Sequence, residues 1–109
     1  MNVRIAGIFF ALLASFGSPN YAADGVAAET LLSDSKCLKC HSVDKKKDGP
    51  SYKEVAAKYK GKPDAVAKLT KHVTEPSKVE IDGVKEDHGA VKTRDPAKIK
   101  NLVEWILSR

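Results

Sequence analysis

Cys37-Leu38-Lys39-Cys40-His41 holds both cysteines of this 109-residue chain, with a histidine directly after the second. Three chemistries use two cysteines at this spacing: a redox dithiol, half of a zinc site, and the covalent attachment of haem. A structural zinc takes four ligands, and no second Cys or His cluster at suitable spacing follows. A thioredoxin-like dithiol belongs in a βαβ pattern, and the surrounding sequence shows no convincing strands. Cys-x-x-Cys-His is the attachment sequence of c-type haem. Each thiol adds to one haem vinyl group, and the turn between them carries the next residue beneath the ring. Cys37 and Cys40 are therefore expected to form the thioethers, and His41 to be the proximal iron ligand.

The length fits one small domain. Its first segment has the form of a secretory signal peptide: Arg4, an apolar run from Ile5 to Leu13, Pro19 as a breaker, and small residues at Ala22 and Ala23. The run is short of the roughly 18–20 residues that span a bilayer. Residues 1–23 are expected to be removed on export, after Ala22 or Ala23, leaving 24–109 as the working domain. A retained membrane anchor is the other reading. The segment's one charged residue is Arg4, so the net charge of +5 falls by one on cleavage.

So small a domain is marginal on its own core. A Cys37–Cys40 disulfide would close too small a loop to help. A haem supplies a large apolar body to pack around.

The rest of the chain patterns as helices. Asp24 is placed to cap DGVAAETLLS, with Ala27, Ala28, Leu31 and Leu32 as its apolar residues. Gly49-Pro50 breaks a lysine-rich loop, and Ser51 caps the next helix. There Tyr52, Val55, Ala56 and Tyr59 follow helical spacing up to Gly61. Asp64 is expected to cap a third helix, with Ala65, Leu69, His72 and Val73 near one face. Asp95-Pro96 opens the last, with Ile99, Leu102, Val103, Ile106 and Leu107 as its stripe. Between the last two helices, Glu75 to Arg94 is expected to be a loop rich in Gly, Pro and charge.

From Asp24 onward the chain resembles the small bacterial class I cytochromes c. The resemblance is carried by CLKCHSVDKKKDGPSYKEVAAKYKGKPDAVAKL and IKNLVEWILS and covers nearly all of 24–109. It implies an all-α fold of about four short helices around one covalent haem, with the first and last helices crossing. It implies one-electron transfer between larger redox proteins rather than enzymatic turnover. Gly49-Pro50 matches the family's Gly-Pro pair, so Pro50 is expected to accept a hydrogen bond from His41 and orient it, although a plain loop proline is the simpler view.

One departure matters. The family places a methionine on the far side of the iron, in the loop before the last helix, and here the only methionine is Met1. His88 stands seventeen residues before Trp105, within a residue or two of the family's methionine-to-tryptophan spacing. His88 is the expected distal ligand, with Gly89 letting the backbone approach the haem. The contrary view is an exposed loop histidine, with iron five-coordinate or water-bound. His72 matches a position near a haem propionate in relatives and is the candidate for that contact. A solvent-exposed histidine and the distal ligand itself are its alternatives. The loop tryptophan that often bonds a propionate in relatives is absent, and Trp105 is expected in the core.

Lys36, Lys39, Lys45, Lys46 and Lys47 cluster around the haem motif. They read either as a solvated surface or as a positive rim that steers partners with acidic docking surfaces. Nucleic acid is not expected, because no aromatic-interleaved basic patch exists and Asp82, Glu86 and Asp87 keep the field mixed. The expected product is a monomeric periplasmic electron carrier. A haem enzyme or gas binder with an open iron position, and a tethered subunit of a redox complex, are the alternatives.

Overall fold

The computed structural model describes residues 23–109. The expected signal segment, apart from Ala23, lies outside the described residues. Helix α1 (Gly25–Asp34), a 3-10 turn at Cys37–Lys39, α2 (Tyr52–Tyr59) and α3 (Ala65–Thr74) come first. Strands β1 (Ser77–Ile81) and β2 (Val84–His88) and helix α4 (Pro96–Leu107) follow. No helix among the described residues is long and apolar enough to cross a membrane.

Three of the four helix starts follow from local chemistry. The Asp24 carboxylate accepts from the Ala27 amide, the Ser51 hydroxyl from Glu54, and the Asp95 carboxylate from Ala97, with Pro96 in the first turn. Asp64 differs: it makes no capping bond, and its carboxylate pairs with Lys68 at 2.9 Å. That pairing holds the Asp64 carboxyl below its ordinary range. Gly61 ends the α2 region with a φ of +74°, which costs glycine nothing.

Helix α4 is the hub. α1, α2 and α3 all pack on it. The core joins Leu32, Tyr52, Leu69 and Val73 to Leu102, Val103, Trp105 and Ile106. Leu102 and Val103 are fully buried, and Ile99 and Leu107 are half-buried at its margin. The start of α1 is pinned to α4 by a reciprocal pair. The Asp24 amide donates to Asn101 Oδ1 at 2.7 Å, and Asn101 Nδ2 donates back to the Asp24 carbonyl at 2.9 Å. Gly25 lies against Trp105, where an added Cβ would come within 3.4 Å of its Nε1. The first and last helices thus pack together as expected.

The segment read as a loop contains an antiparallel hairpin. Its register pairs Ser77 with His88, Val79 with Glu86, and Ile81 with Val84. Asp82 and Gly83 both have positive φ, +50° and +78°, the conformation of a type I′ turn. The alternation along the strands puts Val79, Ile81, Glu86 and His88 on one face. The chain stays mostly helical, with this small two-stranded sheet added.

Candidate haem site

The 3-10 turn over Cys37–Lys39 is the local device that presents the motif. The Cys40 and His41 amides both donate back to the Cys37 carbonyl, at 3.2 and 3.0 Å. This winds the two cysteines and the histidine onto one side of a tight coil. Lys36, with φ +60°, redirects the chain out of α1 into that coil. The two sulfurs are not joined to one another. Burial pushes the Cys37 thiol up from its ordinary pKa.

His41 is fixed on three sides. Its Nδ1 donates to the Pro50 carbonyl at 2.7 Å, which leaves Nε2 as the free nitrogen. Its ring stacks on Tyr52, centroids 5.3 Å apart and planes at 24°. Gly49 lies under its edge: a Cβ there would stand 2.5 Å from His41 Cε1 and 2.9 Å from Nδ1. The Gly49 amide donates to the Cys40 carbonyl at 2.8 Å, drawing this part of the loop under the ring. Tyr52 is itself buried and meets Trp105 edge-on at 5.8 Å, so the ring is braced against the α4 core. Burial raises the Tyr52 phenol far above its ordinary range and keeps it neutral.

A cavity of about 860 Å³ opens beside this wall. Cys37, Cys40, His41 and Pro50 line one side; His72, His88, Val79 and Ile81 line the other; Leu32, Leu69, Leu102 and Ile106 form an apolar floor. His88 faces His41 with ring centroids 6.3 Å apart. Two imidazoles bound end-on to one metal, each about 2 Å from it, stand with centroids roughly 6 Å apart. The buried His88 Nδ1 has no hydrogen-bond partner within the protein. His72, on the outer part of α3, lies against His88 at 4.1 Å. Partial desolvation, and then neighbouring positive groups led by His88 for His72 and His41 for His88, lowers both pKa values, with the Gly89 backbone opposing weakly at His88. Both rings are thus favoured in the neutral form that binds metal. The thiol pair, the apolar cavity and the facing imidazoles fit a haem.

The sequence model of the cytochrome c family matches residues 26–109. The chain belongs to the cytochrome c family. As a small class I cytochrome c with the Cys37–Cys40–His41 motif, it carries one covalent haem c. It is 39% identical over 80 residues to cytochrome c-551 of Pseudomonas denitrificans, covering 73% of this chain and 94% of that one. It is 35% identical over 86 residues to cytochrome c-552 of Hydrogenobacter thermophilus, covering 75% and 81%. Among solved structures, the class 1 cytochrome MtoD of Sideroxydans lithotrophicus ES-1 matches with a TM-score of 0.75 and 54% identity, covering 80% of this chain and 97% of that one. Wild-type cytochrome c552 of Nitrosomonas europaea matches with a TM-score of 0.60 and 29% identity, covering 78% and 98%.

Within this cytochrome c fold, the six residues singled out in the sequence, Cys37, Cys40, His41, Pro50, His72 and His88, all line the cavity, and the Pro50 carbonyl accepts from His41. Four contributors are not legible as such in the sequence. Gly49 reads as a loop breaker and half of the Gly-Pro pair, and Tyr52 as one residue of a helical stripe; their contacts with His41 are tertiary. Val79 and Ile81 fall in the stretch that reads as a loop. The signal for them was Asp82-Gly83 between alternating apolar residues, a strong hairpin pattern. The five clustered lysines do not line the cavity, whereas Asp48, Glu54, Glu80, Glu86 and Asp87 do, with Lys58. Gly89 also lines it, and a Cβ there would meet no protein atom within 4 Å.

Proposed function

We propose that this chain is a periplasmic one-electron carrier whose haem iron is held between His41 and His88. The observation that carries the proposal is the facing pair: His41 and His88 at 6.3 Å, in a chain whose only methionine is Met1. The haem supplies the ferric/ferrous couple. The protein's own part is to clamp His41 through Pro50, Gly49 and Tyr52, to place His88 opposite it, and to line the cavity with apolar side chains that exclude water. Two nitrogen ligands leave no open position for a substrate, which supports a carrier rather than an enzyme.

Residues 1–23 direct export and are removed, and the carrier is monomeric. Partners are redox proteins with acidic docking surfaces. Lys36 precedes the attachment turn, Lys39 lies within it, and Lys45 is exposed beyond it. The carboxylates of the hairpin lie on the opposite wall, so the field around the cavity is two-sided and orients a partner as well as attracting it.

The test is near-infrared magnetic circular dichroism and low-temperature electron resonance on the ferric protein, with His88→Met beside it. Bis-imidazole signatures in the native protein and methionine-type signatures in the variant are expected. A high-spin native protein whose ferrous form binds carbon monoxide readily would overturn the reading. The intact mass of the periplasmic protein tests the cleavage.

A further inference from the structure

The distal side of the cavity holds one imidazole more than a single iron position requires. His72, in the last turn of α3, and His88, at the end of β2, lie ring against ring, centroids 4.1 Å apart and planes at 39°. Both line the cavity opposite His41.

The two rings are held very differently. Helix α3 is locked on α4 through buried Leu69 and Val73. The hairpin that carries His88 packs chiefly on itself, and beyond it the Val91 amide donates to the Val73 carbonyl of α3 at 2.8 Å. The second nitrogens differ too. His41 donates Nδ1 to Pro50, whereas His88 Nδ1 makes no hydrogen bond of good geometry and its ring has only a weak interaction with the Gly89 backbone beside it. Metal-bound imidazoles ordinarily donate that nitrogen to an acceptor, which fixes the ring and strengthens it as a ligand; losing the acceptor weakens metal binding by about 10–100-fold. His41 is therefore the anchored ligand and His88 the weakly supported one.

We propose that His72 is an alternative distal ligand: when the His88–iron bond opens, the His72 imidazole takes the sixth position. This rests on the bis-histidine reading above. The exchange breaks one iron–nitrogen bond and forms another of the same kind, between neutral imidazoles, so no electron or proton moves. The displacement needed is of the order of the 4.1 Å between the rings, within reach of side-chain rotation on a fixed helix. Small ligands then meet a second imidazole whenever the first departs.

The experiment uses the haem-loaded protein and the variants His72→Ala, His88→Ala and the double variant. Ferric spin state and ferrous carbon monoxide uptake are recorded for each. Both single variants are expected to remain low-spin with two imidazoles, and the double variant to become high-spin. His72→Ala is expected to keep the native resting spectrum yet bind carbon monoxide about tenfold faster than the native protein, the lower end of a typical ligand-support effect. That comparison needs only one mild variant, so it stands even if the double variant misfolds. A high-spin His88→Ala protein, or equal uptake by His72→Ala and native protein, overturns the proposal while leaving His88 as ligand. A high-spin His72→Ala protein would instead make His72 the resident ligand and sink the His88 assignment itself.

Discussion

His41 and His88 face each other across the haem cavity with ring centroids 6.3 Å apart, and only His41 has its second nitrogen in a well-formed hydrogen bond to the protein. A thioether raises haem potential relative to imidazole, because imidazole is the better donor to ferric iron. The native protein should therefore have a lower potential than its own His88→Met variant. Anaerobic redox titration of the two checks this, with haem environment otherwise constant. A native value at or above that of the variant would contradict nitrogen ligation.

Gly49→Ala should destabilise the proximal side. The new Cβ would fall 2.5 Å from His41 Cε1 and 3.1 Å from the Cys40 carbonyl oxygen. Neither can yield easily, since His41 is backed by Tyr52 and bound to Pro50. Overpacking of this kind costs about 1–3 kcal/mol. Guanidinium unfolding of the ferric protein should show the loss as a lower midpoint.

Local chemistry was legible and tertiary chemistry was not. Asp24, Ser51 and Asp95 cap their helices because a capping bond spans only two or three residues. Asp64 looked the same in sequence, but Lys68, one turn on, takes its carboxylate. The Cys-x-x-Cys-His turn is equally local and was read in full. The hairpin was masked by its charges: Lys78, Glu80, Lys85 and Asp87 alternate with Val79, Ile81, Val84 and Glu86, so the stretch resembled a polar loop. Its outward cross-strand partners are of opposite charge, Lys78 with Asp87 and Glu80 with Lys85, which a sheet tolerates well. The His72–His88 contact joins a helix to a strand across sixteen residues, and no periodicity reports it.

Gly83→Ala should loosen the distal side alone. Gly83 has φ +78° with nothing within 4 Å of a new Cβ, so the cost is backbone strain of about 1–2 kcal/mol. The hairpin that bears the strain also bears His88. Opening the hairpin relieves it, so the distal bond should open more often. Carbon monoxide uptake by the ferrous protein should rise about fivefold or more, while the spectrum of the resting protein stays native.

Lys39→Glu should slow reduction of an anionic oxidant, and Glu86→Lys should quicken it. Lys39 lies in the attachment turn and Glu86 on the cavity-facing side of β2, and both are exposed. Each change moves the local charge by two near the haem. Hexacyanoferrate(III) is a suitable probe, because it carries high negative charge and needs no docking site. Stopped-flow rates at low ionic strength should differ from native by about two- to tenfold in opposite directions, within the range that steering supplies. At 1 M salt the screening length is about 3 Å, so the three proteins should converge. If Lys39→Glu leaves the low-salt rate unchanged while Glu86→Lys alters it, the hairpin wall rather than the lysine turn faces the oxidant, and the acidic-partner assignment fails with it.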